Sequence, residues 1–400
     1  MKKRISVSTY GLAVLCFIFI LSGCKSAPEK AKTPYDRPLP PGQFALRKIT
    51  NPQEIPDFTM ACLDLAELQA GIARSINYLQ KPSSRQYYPA GQITHSMAIE
   101  SLKAFDEMLD SGLAGPQLNQ AIRERFDVYI SIGCDDQGTV LFTGYYTPIF
   151  DGSLTPTDRF RYPLYKQPEE LVKGPDGEIL GRRMPDGQIS PYPPRAVIED
   201  SLMLRGKELI WLGDPFETYI AHVQGSAKLR LSDGQITTVG YAANNGHEYR
   251  SVAQELVNEG KIPEDRISLT SMMDYFRRHK DQISRYVRRN ARFVFFQEQE
   301  DGLPRGCLNE PVTAYRSIAT DKLVFPRGSL TFITTTLPRA VGGQAVNQVY
   351  SGFALDQDAG GAIRAPGRCD VYMGVGDVAG KLAGQTYQEG RLYYLFLKQN

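Results

Sequence analysis

Four aspartates lie within one short stretch near the end of the chain, at positions 356, 358, 370 and 377. The residues between them are mostly small or apolar. A carboxylate among apolar neighbours is poorly solvated, which raises its pKa and can make it a proton donor near neutral pH. Two carboxylates also suggest glycoside cleavage, in which one of them protonates the leaving oxygen. The strongest candidates for this acid–base chemistry are Asp358 and Asp370.

Turns and a short strand must position these two residues. Gly360 and Gly361 favour a tight turn directly after Asp358. Val371–Tyr372 favours a strand that begins next to Asp370. Because aspartate is also a common turn former, each carboxylate has a purely structural interpretation as well. That interpretation, as turn or solvent-facing residues, is strongest for Asp356 and Asp377.

A second candidate group lies in the middle of the chain, where we predict that Gln224, Gly225 and Ser226 bind substrate. A glutamine can contact a sugar hydroxyl or acetamide with both its donor and its acceptor groups. Gly225 allows the backbone to approach a ligand closely. Gln224 can instead satisfy backbone groups of its own loop, so a ligand role and a structural role are both open.

Tyr145 and Tyr146 are a third candidate pair, at the end of a β-branched and aromatic segment that predicts a strand. Adjacent residues of a strand point to opposite faces, so one tyrosine should enter the core. The other can stack on a sugar ring while its hydroxyl forms an outward hydrogen bond.

The sequence favours no other chemistry. Its net charge is +2, whereas nucleic-acid binding favours a strongly basic face. The four histidines lack metal-ligand spacing, and no Cys-x-x-Cys pair occurs. Glycine-rich nucleotide loops are absent from the sequence too. We therefore expect no metal, no organic cofactor and no nucleic-acid partner.

The amino terminus predicts export and lipid anchoring. A basic start precedes an apolar run at 11–21, which is too short for a transmembrane helix. Leu21–Cys24 resembles a bacterial lipobox, which predicts lipidation of Cys24; a plain secretory signal is the alternative. Lys25, in place of Asp, favours the outer membrane, with the soluble part tethered on the periplasmic side. The proline-rich segment 24–52 predicts an extended tether.

The rest of the chain predicts helices around a mainly β core. Short apolar runs separated by Gly, Pro and Asp-Gly turns predict hairpins from 139 to about 240. Short strands with Gly-rich turns follow from Leu323 onward. Strands at both ends, with a different β segment between them, predict a discontinuous domain with an insertion. Helices are predicted at 65–79, at 94–109 with Thr94 as its cap, at 248–259 and at 268–287.

The aspartate stretch resembles the three-aspartate signature at the end of the membrane-bound lytic murein transglycosylase A family. Gln357–Arg364 and then Asp370–Tyr372 carry this resemblance, and the whole match covers roughly residues 55–400. Family members usually carry Glu at the position of Thr147 and Lys–Gly at Arg364–Ala365, so the chain departs from the family there. Five upstream segments match in the same order: Phe142–Pro148, Tyr162–Tyr165, Val223–Ser226, Gly240–Gly246 and Phe293–Phe296.

The resemblance implies a mainly β fold with flanking helices, of the α+β class. A discontinuous double-psi β-barrel is expected from residues 53–146 and 291–400, with the aspartate motif in the second part. A second β domain is expected at 147–290, inserted after the tyrosine strand. The site would lie in the groove between the two, because clefts at domain interfaces are common ligand sites. A signal peptide at 1–23 and the tether would precede both.

The resemblance also implies a peptidoglycan lytic transglycosylase, a lyase that cleaves the β-1,4 bond between MurNAc and GlcNAc. Such an enzyme uses the sugar's own 6-hydroxyl instead of water and leaves 1,6-anhydromuramic acid ends. One carboxyl group then serves as acid and as base; by resemblance it is Asp370, with Asp358 in support. Substrate contacts would come from Gln224–Ser226, the tyrosine pair, Gly361 and Asp377.

Two other function classes stay open. An inverting hydrolase of peptidoglycan or another β-glycan would need a second carboxylate spaced to hold a water. A non-catalytic wall-binding lipoprotein would keep the groove without the acid. Peptidoglycan glycan strands are the expected partner, along with the membrane through Cys24. Cell-wall synthesis or division proteins are candidate further partners.

Overall fold

The computed structural model describes residues 33–175, 177–263 and 266–399. The predicted signal peptide and Cys24 lie outside the described residues, as does the tether up to residue 32. Over the described ranges, no helix is long and apolar enough to span a membrane. The same ranges contain no group of three or more His, Cys, Asp or Glu that could hold a metal ion.

The described chain is mainly β, with helices before and between the strands. Its strands are β1 (Leu46–Lys48), β2 (Phe126–Ser131), β3 (Val140–Thr147), β4 (Ile149–Ser153), β5 (Tyr162–Tyr165), β6 (Leu171–Lys173), β7 (Ile179–Arg183), β8 (Ile189–Ser190), β9 (Glu208–Leu212), β10 (Ser226–Arg230), β11 (Ile236–Asn244), β12 (Val294–Glu298), β13 (Ser317–Ala319), β14 (Leu330–Val341), β15 (Gln344–Asp358), β16 (Arg368–Val375) and β17 (Tyr387–Leu397). Its helices are α1 (Leu68–Gln80), α2 (His95–Asp110), α3 (Gly115–Arg125), α4 (Arg195–Asp200), α5 (Pro215–Gln224), α6 (Val252–Asn258), α7 (Leu269–Arg278), α8 (Ile283–Val287) and α9 (Gly376–Gln385).

Six strands close into a barrel. In order around it they are β17, β14, β15, β13, β16 and β3, and β3 pairs again with β17. β16 runs parallel to β3, and β13 runs parallel to β15, so the barrel is mixed. β2 and β1 extend the sheet beside β17. β3 precedes the inserted segment and the other five strands follow it, which confirms the predicted barrel from both ends of the chain.

A second β region separates the two parts of the barrel in sequence. It contains a six-stranded sheet in the order β12-β11-β10-β4-β9-β5 and a three-stranded sheet of β6, β7 and β8. The larger sheet packs with α5 to α8 around its own core, to which Phe216, Leu229, Phe276 and Phe296 belong. The predicted inserted β domain is therefore confirmed, while its boundaries at 146 and 290 stay predictions.

Helix α2 packs on the outer face of the barrel, as its apolar stripe predicts. Thr94 caps it, since its hydroxyl accepts the N–H of Met97 at 3.1 Å. Phe105 lies edge-on to Phe353 of β15, with ring centroids 5.2 Å apart. This aromatic contact buries part of the stripe and holds the helix against the barrel.

Two predicted helices are shorter in the structure than the sequence indicates. The helix predicted at 268–287 breaks at His279, whose φ of −132° and ψ of 56° are not helical, and continues as α8. The helix predicted at 248–259 begins only after Ser251, whose hydroxyl caps α6. Periodicity alone does not place helix ends to the residue, and the capping Ser251 is the local signal for the start of α6.

Helices α5 and α9 were not predicted from the sequence. Asp214 caps α5, since its Oδ1 accepts the N–H groups of Phe216 at 2.8 Å and Glu217 at 3.1 Å. Pro215 follows at the first helical position and Gly225 ends the helix. This Asp-Pro start and Gly stop form a recognisable helix signature, which the surrounding Gly- and Pro-rich segments obscure.

The loop between β15 and β16, residues 359–367, is called the aspartate loop. Near its end, Ala365 is held in a left-handed backbone conformation with a φ of +64°. Its N–H donates to Oδ2 of the buried Asp321 at 2.8 Å. A residue with a Cβ loses roughly 1–2 kcal/mol in this conformation. We expect Ala365→Gly to raise the free energy of unfolding by about 0.5–1 kcal/mol, because glycine's extra chain entropy offsets part of the gain. Urea denaturation would measure the change.

Ala362→Gly is the matched control, since Ala362 lies in the same loop with a φ outside the left-handed region. It should be neutral or slightly destabilising, because it changes mainly the entropy of the unfolded chain. A lower or unchanged stability of Ala365→Gly would show that the backbone at Ala365 is not strained.

Candidate active site

A cavity of about 570 Å³ lies between the barrel and the inserted region. On the barrel side it is lined by residues of β3, β16 and the loop that follows β15. On the other side it is lined by the end of α5, by Tyr241 of β11 and by Arg292. The fold therefore brings the aspartate stretch and the middle segment to one cavity.

Asp358 and Asp370 flank the same residue of the barrel wall. Ala319 of β13 is the register partner of Asp358 in β15 and of Asp370 in β16. Neighbouring strands lie about 4.8 Å apart, so the two aspartate Cα atoms are about 10 Å apart and the side chains share one face. The small side chain of Ala319, which also lines the cavity, leaves the space between the carboxyl groups open.

Asp370 combines burial with an unsatisfied carboxylate oxygen. Its Oδ1 is buried and has no hydrogen-bond partner among the described residues. Burial raises the pKa of Asp370 to about 6; Asp358 adds to the rise, whereas Arg368 and Thr143 oppose it. A carboxyl group with this pKa keeps its proton at mildly acidic pH and can donate it to a ligand in the cavity.

Asp358 is held by backbone donors. Its Oδ1 accepts the N–H groups of Cys307 and Ala359, each at 2.8 Å. Burial raises the pKa of Asp358, and these two N–H groups oppose the rise because they stabilise the carboxylate. A Cβ at Gly306 would lie 2.6 Å from the carbonyl oxygen of Gln357, so only glycine fits there. The loop at Gly306–Cys307 thereby fixes the orientation of Asp358.

Gly361 allows the aspartate loop to approach the inserted region. A Cβ at this position would lie 3.3 Å from Cβ of Tyr249 and 3.5 Å from Nε of Arg292. The predicted turn is present, at Gly361 and Ala362. Gly361 lines the cavity, and its contact with a substrate stays a prediction.

Tyr145 and Tyr146 differ in burial, as adjacent residues of a strand should. Tyr146 is buried in the barrel core, where its ring packs closely on Gly380 of α9. Tyr145 is half-buried, with its ring centroid 5.1 Å from that of Tyr372. Both tyrosines line the cavity, but Tyr145 is the less buried of the two, and it also lowers the pKa of Asp358. Tyr145 is therefore the tyrosine whose position suits contact with a sugar.

The end of α5 brings Gln224 and Gly225 to the cavity wall. Oε1 of Gln224 accepts the N–H of Tyr146 at 3.1 Å, which leaves its amide donors available to a ligand. Gly225 ends α5 with a φ of +72°, a conformation that favours glycine. Ser226 is buried behind the wall, where its hydroxyl lies 3.2 Å from that of Thr147.

The two remaining aspartates occupy contrasting environments. Asp377 is exposed in the first turn of α9, where its negative charge interacts favourably with the helix dipole. Asp356 is fully buried, forms an ion pair with Lys322 and accepts the hydroxyl of Tyr394 at 2.8 Å. The interpretation of Asp356 as a turn or solvent-facing residue is therefore wrong, because buried partners compensate its charge.

Sequence reasoning missed several side chains of the cavity. Nη2 of Arg368 lies 3.5 Å from the hydroxyl of Thr143, and both residues lower the pKa of Asp370. Nδ1 of His222 accepts the N–H of Val294 at 3.1 Å, and burial lowers the pKa of His222 well below its usual value. His222 is therefore neutral, with its proton on Nε2. The position of His222 relative to the other histidines in the sequence does not suggest a site. Thr143 could have been found, because it belongs to the segment Phe142–Pro148 that resembles the family.

Two family profiles match the chain. The profile described as MltA specific insert domain matches residues 141–297, and that described as 3D domain matches residues 316–396. The first includes the inserted sheet, and the second includes the strands that carry Asp358 and Asp370.

Known relatives match over most of their length. The chain is 28% identical over 385 residues to membrane-bound lytic murein transglycosylase A of Escherichia coli K12. The aligned residues cover 94% of this chain and 93% of the relative. It is 26% identical to a membrane-bound lytic murein transglycosylase from Agrobacterium tumefaciens, whose crystal structure matches with a TM-score of 0.74 over 88% of this chain and 98% of that one. The chain belongs to the membrane-bound lytic murein transglycosylase A family.

A crystal structure of E. coli MltA with bound chitohexaose shares the fold of this family member, with 24% identity and a TM-score of 0.63 over 92% of this chain and 100% of that one. The hydroxyl of Thr147 is buried and lies 2.9 Å from that of Tyr372. Ala365 adopts a left-handed backbone conformation although it has a Cβ.

Proposed function

We propose that this protein cleaves the β-1,4 bond between MurNAc and GlcNAc in peptidoglycan as a lytic transglycosylase, leaving 1,6-anhydromuramic acid ends. The observation that carries the proposal is Asp370: a carboxyl group with a raised pKa and an unsatisfied oxygen, in the cavity of a member of this family. The family's lytic murein transglycosylases support the reaction class.

In this proposal one carboxyl group performs both proton transfers. Protonated Asp370 donates to the glycosidic oxygen as the bond from that oxygen to C1 of MurNAc breaks. The 6-hydroxyl of the same sugar then bonds to C1, and its proton returns to the Asp370 carboxylate. The anhydro ring replaces the bond that was broken, so no water is consumed and Asp370 ends in its starting state.

Asp358 has a supporting role in the same scheme. The two N–H groups on its Oδ1 favour the carboxylate form. A negative charge at this position raises the pKa of Asp370 and stabilises the positive charge that develops at C1 of the sugar. Tyr145 and the free amide donors of Gln224 would contact the sugars on either side. The chitohexaose bound by the E. coli relative supports a β-1,4-linked N-acetylated glycan as ligand.

Analysis of the reaction products tests this function. Purified peptidoglycan digested with the soluble chain should release muropeptides with 1,6-anhydro ends, detected by mass spectrometry. Reducing ends would indicate an inverting hydrolase instead. Binding to the wall without cleavage would indicate a non-catalytic wall-binding protein.

The pH dependence should follow the acid form of Asp370. Because the pKa of Asp370 is about 6, kcat/KM should fall tenfold per pH unit well above that value. Asp358→Asn removes a charge that raises this pKa, so the falling limb should move to lower pH. Initial rates on a soluble glycan between about pH 5 and pH 8 would measure the falling limb of the wild type and that of Asp358→Asn.

Asp377→Asn is the control for these profiles, since its exposed carboxylate lies at the start of α9. The falling limb of kcat/KM against pH for Asp377→Asn should coincide with that of the wild type. Rates that stay constant up to pH 8 in the wild type would contradict an Asp370 acid.

Location and partners remain proposals from the sequence. The relatives are named membrane-bound, and we propose lipid anchoring at Cys24 in the outer membrane, with the cavity facing the periplasm. Glycan strands are the proposed ligand, and the chemistry described here requires neither a metal nor an organic cofactor. Wall synthesis or division proteins are proposed as further partners.

A further inference from the structure

The cavity carries more positive than negative side chains. Its lining includes five arginines and two aspartates. Two of the arginines are neutralised, since Arg195 pairs with Glu199 at 3.2 Å and Arg305 pairs with Asp301. The other three, which form no ion pair with any residue that the structure describes, are Arg292, Arg364 and Arg368.

Arg292 approaches the cavity from the inserted region. Its Nη1 donates to the carbonyl oxygen of His247 at 3.2 Å, and its Nε lies beside Gly361 of the aspartate loop. Burial lowers the pKa of Arg292 and Arg364 lowers it further, whereas Tyr241 and Glu248 oppose them. Arg292 is half-buried, and a partly desolvated cation without a paired carboxylate is unfavourable, so an anionic ligand would relieve that cost.

Arg364 approaches the same end of the cavity from the barrel. It is exposed, lies midway in sequence between Asp358 and Asp370, and is close enough to Arg292 for their charges to repel. Arg368 differs from this pair because its positive charge lowers the pKa of Asp370. Arg292 and Arg364 are therefore two cations that face one cavity and form no ion pair with a carboxylate of the described residues.

We propose that Arg292 and Arg364 form a subsite for a carboxylate group carried by the glycan, beside the bond that the aspartates would cleave. This inference rests on the proposed function and names the charged feature of the substrate. Planar guanidinium groups bind carboxylates through paired hydrogen bonds, so two of them suit one such group.

The sugar rings of a β-1,4 N-acetylated glycan are neutral, so the carboxylate must come from a substituent. In peptidoglycan the lactyl group of muramic acid carries a free carboxylate when no peptide is attached. When a stem peptide is attached, that group is an amide and the carboxylates lie on the peptide. The shared chemistry is one carboxylate close to a muramic acid ring.

Binding measurements on Asp370→Asn, which we expect to be inert, test the subsite without cleavage. The three ligands are chitohexaose, which is neutral; peptide-free glycan fragments with lactyl carboxylates; and the same fragments with stem peptides. Arg292→Gln/Arg364→Gln should weaken binding of a carboxylated ligand about tenfold or more, because charge-assisted hydrogen bonds are lost. Affinity for chitohexaose should change less than about twofold, since it has no group for the subsite to bind.

Two further variants control for folding and charge. Arg205→Gln removes an exposed arginine outside the cavity and should bind all ligands as the parent does. Arg364→Gln alone changes an exposed side chain, so it should fold normally and show part of the effect. A loss confined to stem-bearing fragments would assign the carboxylate to the peptide, and a loss on peptide-free fragments would assign it to the lactyl group.

Two outcomes would overturn the subsite. If the double variant lost affinity equally for chitohexaose and for carboxylated fragments, or lost none, the arginines would not recognise a carboxylate, while product analysis of the wild type would still decide the proposed function. If Asp370→Asn bound none of the three ligands, and the wild type released no anhydro products, both proposals would fail together.

Discussion

Asp370→Asn is expected to abolish the release of 1,6-anhydromuropeptides from insoluble peptidoglycan. The asparagine side chain can neither donate a proton to the glycosidic oxygen nor accept one from the 6-hydroxyl. Positioned acid–base catalysis contributes roughly 10²–10⁴-fold to a rate, so the residual rate should be at most about 1% of that of the wild type. Release of anhydro products over time, quantified by chromatography and mass spectrometry, would measure it.

The loss should not result from unfolding. A carboxyl group whose pKa is higher in the folded state makes the free energy of unfolding fall as the pH rises from its unfolded pKa to about 6. At neutral pH the wild type therefore has a destabilising carboxylate at Asp370, which asparagine removes. Asp370→Asn should be at least as stable as the wild type at pH 7 and should still bind chitohexaose.

The other aspartates serve as graded controls for this prediction. Asp358→Asn should reduce the rate partially, because Asp358 supports the acid without transferring the proton. Asp377→Asn should change the rate least of the three variants, since Asp377 is exposed at the start of α9 and does not line the cavity. An active Asp370→Asn, or an inactive Asp358→Asn beside it, would assign the acid to a different residue.

Local patterns were sufficient to predict β3 and α2. The β-branched and aromatic residues of β3 predicted a strand, and that strand pairs in parallel with β16, which contains Asp370. The stripe of α2 predicted a helix capped by Thr94. In each case the local preference and the buried face agree, so tertiary packing does not override the sequence pattern.

The elements that were missed depend on contacts between distant parts of the chain. α9 begins at Gly376 and contains further glycines, a composition that disfavours a helix. Its glycines permit close packing: a Cβ at Gly380 would lie 2.8 Å from the ring of Tyr146. Gly144 of β3 likewise leaves room for the backbone of Ala383. This packing stabilises the helix, and no local pattern could reveal it.

The cavity was predictable only in part for the same reason. Asp358 and Asp370 could be identified because they lie together in sequence and among apolar residues. Arg292 and His222 come from separate elements of the inserted region, and neither stands in a spacing that suggests a site. Their position beside the aspartate loop follows from the closure of the barrel against that region.

Asp356 illustrates a buried charge that sequence alone could not interpret. Its side chain is fully buried in the barrel, where the hydroxyl of Thr320 donates at 2.8 Å and that of Tyr394 at 2.8 Å. Lys322, itself only 5% exposed, forms an ion pair with it. The same pair of hydroxyl donors can bind an amide oxygen, so an asparagine would fit without a steric clash.

Asp356→Asn should nevertheless lower the free energy of unfolding by about 3–5 kcal/mol, because it leaves the ammonium group of Lys322 buried without its counter-charge. Asp151→Asn is the matched control: Asp151 pairs with Arg159 and Arg230, but the three side chains are 43%, 68% and 56% exposed, so its loss should change stability by about 1 kcal/mol or less. Adding Lys322→Met to Asp356→Asn removes the unpaired charge and should restore part of the stability. Urea denaturation at neutral pH would measure all three variants. If Asp356→Asn unfolded within about 1 kcal/mol of the wild type, or if Lys322→Met restored nothing, the Lys322 charge would not depend on Asp356 for its burial.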